Sequence, residues 1–125
     1  VSDRISFLQS DLLTPLSFRK GEQGGIGILL TNLPYIPTQT LQSLPIYGRE
    51  PTLALDGGPD GLDLIHRLLT QAQNSLMPGG AALFEIESTQ GSAVLALARQ
   101  VFPSANVQVL PDLAGLDRLL LIQSI

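Results

Sequence analysis

The run Gly25-Ile26-Gly27-Ile28-Leu29-Leu30-Thr31 is apolar without interruption and stops at Asn32, after which prolines stand at positions 34, 37, 45 and 51. A short apolar run that does not alternate predicts a strand buried on both faces of a parallel sheet, since a half-exposed strand would alternate with period two. Parallel strands need crossover connections, so such a chain must also supply helices. It does: Asp60 reads as an N-cap, and Leu62, Ile65, Leu68, Leu69, Ala72 and Leu76 form one helical stripe that Pro78-Gly79-Gly80 ends. Gln90-Gly91 opens a second helix carrying Val94, Leu95, Ala98 and Val101. Further strands are predicted over Arg4–Gln9, over Ala81–Ile86, around Val107 and Val109, and over Arg118–Gln123. The short turn Asp112–Asp117 makes the last two antiparallel. Residues 18–25 read as a loop, and residues 32–60 as a long loop without periodicity, of the kind that often binds ligands.

A length of 125 residues suits one domain. Hydrophobic residues at 44% against 14% charged are enough for a core, and a formal charge of −4 offers no basic field for a free-standing nucleic-acid binder. The absence of Cys excludes disulfides, thiolate nucleophiles and cysteine metal sites. No apolar run reaches the ~18 residues of a membrane span, and the first 20 residues lack the order of a signal peptide, so the expectation is a soluble cytoplasmic protein. His66 has no His, Glu or Asp at i+4 to share a metal, and no metal site is expected. Glu85 and Glu87 stand at a strand end without the motif of an acid–base pair.

Asn32-Leu33-Pro34-Tyr35-Ile36-Pro37 follows the carboxyl end of the predicted buried strand, where open α/β sheets bind ligands. The Asn32 side chain offers an acceptor and a donor, the main chain of Leu33 and Pro34 offers carbonyls, and Tyr35 offers a flat face. A planar NH2 group could be held by two of these acceptors and covered by the ring. The residues equally allow a proline-stiffened turn in which Asn32 caps its own backbone and Tyr35 packs on the rim.

The string Asn32 to Tyr35 resembles the N-P-P-Y signature of S-adenosylmethionine-dependent methyltransferases acting on planar amide or amino nitrogens. Around it stand Phe7 to Leu12, Glu50 to Leu62, Leu76 to Gly80, Glu85-Ile86-Glu87, Gln90-Gly91 and Asp112 to Arg118. In order and spacing these are similar to the C-terminal half of the release-factor glutamine methyltransferase family, and the resemblance covers nearly the whole chain. It implies the C-terminal part of a Rossmann-like class I sheet, mostly parallel with a terminal antiparallel hairpin. It also implies a partial catalytic domain over residues 1–125, with residues 32–60 as substrate loop. The implied reaction is direct methyl transfer to the side-chain nitrogen of the glutamine in the Gly-Gly-Gln motif of peptide chain release factors, in the cytoplasm. Asn32, Pro34 and Tyr35 would be catalytic, Leu33 and Glu50 would join them in binding substrate, and Asp11, Leu12 and Asn32 would contact the cofactor. On local sequence alone Asp11-Leu12 equally reads as a turn capping a helix start.

Two departures accompany the resemblance. Leu33 stands where the family has its first proline, which makes the string parallel to N-L-P-Y of rRNA adenine dimethyltransferases, whereas Glu50 to Gly61 follows the glutamine family. The family's first sheet strands and glycine-rich loop have no counterpart here, since Gly24-Gly25-Ile26-Gly27 precedes its apolar run. The isolated chain is therefore expected to be inactive, with an incomplete cofactor site and exposed sheet edges open to self-association. The alternatives are an adenine or rRNA amino-methyltransferase fragment, or a catalytically dead remnant that binds a partner.

Overall fold

Two apolar segments pair in parallel: β1, Ile26–Thr31, lies against β2, Leu76–Glu85, with Leu29, Leu30 and Thr31 opposite Ala82, Leu83 and Phe84. The structure, a computed structural model, describes residues 2–14 and 25–125. Between β1 and β2 run a six-residue helix α1, Thr38–Ser43, a 3-10 turn over Thr52–Ala54, and the long helix α2, Asp63–Ser75. A second long helix α3, Gly91–Val101, follows β2 and leads into β3, Asn106–Pro111, and β4, Asp117–Gln123. The sheet order is β1-β2-β4-β3, with β4 antiparallel to both of its neighbours.

The stripe of α2 turns Ile65, Leu68, Leu69 and Ala72 inward, and α3 turns in Val94 and Ala98. They meet Ala82 and Phe84 of β2 and Leu120 and Ile122 of β4 in one cluster, so both helices cover the same face of the sheet. Burying a side chain such as Phe84, 1% exposed, contributes roughly 1.5–3 kcal/mol. No helix of the described residues is long and apolar enough to cross a membrane.

The α/β class and the terminal antiparallel hairpin are observed, and the described part of the sheet is mixed, with one parallel and two antiparallel pairings. Several local expectations are corrected. β1 is not buried on both faces: Ile28 and Leu30 are 70% and 71% exposed, because no described element covers that face of the strand. Arg4–Gln9 is not a strand. Arg4 closes a 3-10 turn, and Ile5, Phe7 and Leu8 are exposed, since no described strand takes up their backbone groups. Asp60 does not cap α2; its carboxylate accepts from Leu62 N at 3.0 Å one step earlier. Pro78-Gly79-Gly80 does not end the helix either. It lies inside β2 where the register with β1 shifts, and an irregularity of this kind tolerates a proline that cannot donate. The loop expected over residues 18–25 lies, apart from Gly25, outside the described residues.

Candidate functional site

Beyond the last residue of β1 the chain enters the Asn32–Ile36 segment at the carboxyl end of the parallel pair. Leu33, Pro34, Tyr35 and Ile36 are half-buried, Asn32 is exposed, and together with Ala54 and Leu55 they line a groove of about 170 Å³. Sites for drug-sized ligands run to roughly 300–1,000 Å³, so this groove suits a side chain.

The backbone hydrogen bonds divide the segment in two. Tyr35 O accepts from Gln90 Nε2 at 3.0 Å, and Ile36 accepts from Gly57 N at 2.9 Å while donating to Leu55 O at 3.1 Å. These groups hold the loop in place. The carbonyls of Leu33 and Pro34 and the side chain of Asn32 make no hydrogen bond among the described residues and remain available to a ligand. Asn32 therefore does not cap its own backbone.

The glycines after Asp56 allow this anchoring. A Cβ on Gly57 would come within 2.8 Å of Tyr35 Cα, and one on Gly61, at φ +79°, would overlap the Tyr35 carbonyl oxygen. Asp56 braces the same corner, its Oδ1 accepting from Thr38 Oγ1 at 2.7 Å and Gly58 N at 2.9 Å. Those two bonds hold its carboxyl below the usual carboxylate range.

Tyr35 stands among opposing charges. Its hydroxyl donates to Glu85 Oε1 at 3.4 Å, and its pKa is raised first by burial and then by the Glu85 charge, against the pull of Arg118. At neutral pH the ring is uncharged. Glu87 is held below the carboxylate range chiefly by the Thr89 hydroxyl, and it forms a reciprocal capping box with Gln90 at the start of the α3 region. The arrangement can accept two hydrogens from a planar nitrogen and present an aromatic face. No carboxylate lines the groove.

No family model matches the chain. A release factor glutamine methyltransferase of Moorella thermoacetica is 52% identical over 116 residues, covering 92% of this chain and 39% of that relative. Another, of Thermosynechococcus vestitus, is 39% identical over 126 residues, covering 99% of this chain and 42% of the relative. The chain belongs to the release factor glutamine methyltransferases. It matches their C-terminal part and spans about two fifths of the length of these curated relatives. The solved structure of a release factor-specific protein-(glutamine-N5) methyltransferase from Alicyclobacillus acidocaldarius superimposes with a TM-score of 0.48 at 16% identity, over 95% of this chain and 99% of that one.

Of the residues that the family pattern singles out, the structure gathers Asn32, Leu33, Pro34 and Tyr35 at one groove. Glu50 is exposed in a turn with Tyr47 and is not part of the lining. Asp11 and Leu12 lie on α2 instead: Asp11 pairs with Arg67 at 2.7 Å, Leu13 N donates to Gln71 Oε1 at 2.8 Å, and Leu12 takes φ 55° in the turn closed by Asp11 and Thr14. Neither lines the groove. His66 is exposed, and among the described residues no group of three His, Asp or Glu could hold a metal. The reach of Gln90 to Tyr35 and the contact of Glu85 with the Tyr35 hydroxyl were not read from the sequence. The Glu87-x-x-Gln90 spacing signals only the local cap.

Proposed function

We propose that this chain supplies the amide-gripping part of an S-adenosylmethionine-dependent methyltransferase that modifies the glutamine side chain of the Gly-Gly-Gln motif in peptide chain release factors. The reading rests on family membership together with one observation, the uncommitted acceptors of Asn32, Leu33 and Pro34 at the mouth of a groove sized for a side chain. The methyl donor supplies an electrophilic methyl group when bound. The groove, at about 170 Å³, falls below the roughly 300 Å³ of the smallest drug-sized sites, and Asp11 pairs with Arg67.

The chain's own residues address the difficulty on the acceptor side. An amide nitrogen is a poor nucleophile because its lone pair is delocalised into the carbonyl. The Asn32 side-chain oxygen and the Pro34 carbonyl accept the two amide hydrogens and fix the direction of the nitrogen. Both bonds strengthen as the nitrogen gains positive charge, which favours the transition state over the bound amide. Tyr35 packs on the amide plane. Pro34 fixes its own φ and so limits the freedom of the acceptor carbonyl.

The test joins this chain behind the N-terminal portion of the Moorella thermoacetica relative and supplies S-adenosylmethionine and a release factor. Methylation of the Gly-Gly-Gln glutamine, read by mass spectrometry, is the expected outcome. Leu33 favours a second acceptor, the amino group of adenine. Methylated RNA with unmodified release factor would establish that reading in place of the first.

A further inference from the structure

Gln90 is a buried polar side chain, 7% exposed, that ties together segments far apart in sequence. Its Nε2 donates to Tyr35 O at 3.0 Å and to Gly61 O at 3.3 Å, while its Oε1 accepts from Glu87 N at 3.1 Å. Only this placement of the amide satisfies all three groups, because the reverse would set Oε1 against two carbonyls. Glycine at position 61 is part of the same contact, since a Cβ there would stand 2.7 Å from Gln90 Nε2.

The peptide unit between Tyr35 and Ile36 is thereby held at both ends. Gln90 fixes its carbonyl, and Leu55 O fixes its N–H at 3.1 Å. A peptide unit is planar, so only the two backbone torsions of Tyr35 separate this fixed plane from the one that carries the Pro34 carbonyl. We infer that Gln90 is a positioning residue of the acceptor site: it sets the direction of the Pro34 carbonyl and the seat of the Tyr35 ring. The inference rests on the amide-methylation reading for its catalytic consequence and on geometry alone for its structural one.

Gln90→Glu separates the roles of the side chain, because it keeps the acceptor for Glu87 N and removes the donor to Tyr35 O and Gly61 O. Amide hydrogen exchange on the 125-residue chain reads the result. Near neutral pH, protection at Ile36 is expected to fall roughly tenfold or more, while Leu83 and Leu120 in the sheet core keep theirs. Protection recovers in acid, where the introduced carboxyl is protonated and donates to Tyr35 O. The charged groups around it are Glu85, Glu87, Asp117 and Arg118, and the carboxylates reinforce this recovery by favouring the neutral form. Gln90→Met fills similar space with neither donor nor acceptor, and is expected to lose the Ile36 protection at every pH. Unchanged protection at Ile36 in either variant overturns the inference, as does an equal loss at Leu83 and Leu120. In the joined enzyme, Gln90→Glu should lower kcat with the KM for S-adenosylmethionine unchanged, and an unchanged kcat beside lost Ile36 protection also overturns it. If the unsubstituted joined enzyme transfers no methyl, the methylation reading falls, and the exchange result still decides the structural role of Gln90.

Discussion

β1 and β2 are both apolar and lie side by side, yet they meet different fates. Ala82 and Phe84 of β2 are 0% and 1% exposed, whereas Ile28 and Leu30 of β1 are 70% and 71% exposed. Apolar composition admits a strand to a sheet, but burial depends on what covers it, and α2 and α3 serve β2 and β4. The candidate site grows from the less supported of the two strands. Its loop is accordingly anchored on the better supported side, through Glu85 and Gln90 near the carboxyl end of β2 and through the glycines ahead of α2.

The contrast breaks or sharpens under substitution. Phe84→Ala should destabilise the chain by about 3–5 kcal/mol in denaturant unfolding, and Leu30→Ala by less than about 0.5. Similar values for the two would show that the outer face of β1 is covered in solution. Gly61→Ala should cost about 2–4 kcal/mol, because a positive φ and an overlap with Tyr35 O act together, whereas Gly79→Ala, with open space around it, meets only the backbone term of about 1 kcal/mol. Equal effects at the two glycines would refute the close approach at Tyr35. In the joined enzyme, Asn32→Ala should slow transfer about ten- to a hundredfold, the loss of one acceptor at about 1–3 kcal/mol, with cofactor affinity and unfolding midpoint nearly unchanged. Undiminished turnover would remove Asn32 from the site.

The smallest effect is that of pH. Asp56, Glu87 and Asp112 all have lowered pKa values in the folded chain, so each contributes stability that is present above the ordinary carboxylate range and lost as pH falls through the folded value. Unfolding midpoints should be level from pH 7 to about 5 and decline gently below about 4. Tyr35 acts with the opposite sign: its raised pKa means a contribution lost as pH rises above the ordinary phenol value of about 10.

What the sequence discloses follows from how local each signal is. The stripe of α2 repeats with the helical period, and Val107, Val109 and the Asp112 turn define the hairpin within a few residues, so these elements stand where they were expected. Arg4–Gln9 alternates as a strand does, but a strand needs a partner, and that is a non-local condition. Pro78-Gly79-Gly80 carries the same punctuation whether it stops a helix or bends a strand. α1 spans too few residues to show a period. Asn32 marks the strand end clearly enough to place the candidate site there. The support of that site was illegible, because the bond from Gln90 reaches Tyr35 across 55 positions.

The long connection between β1 and α2 is closed at its base, where Ile36 bonds to Leu55 and Gly57 and where Asp56 holds Thr38. Residues 38–54 form an excursion whose two ends are already brought together. Extra residues inserted within it add closure entropy that grows only with the logarithm of length, about 0.6 kcal/mol for each doubling. Related chains can therefore vary in size between α1 and the 3-10 turn without disturbing the groove, whereas a single added residue between Asp56 and Gly61 would separate the glycines from the backbone they fit.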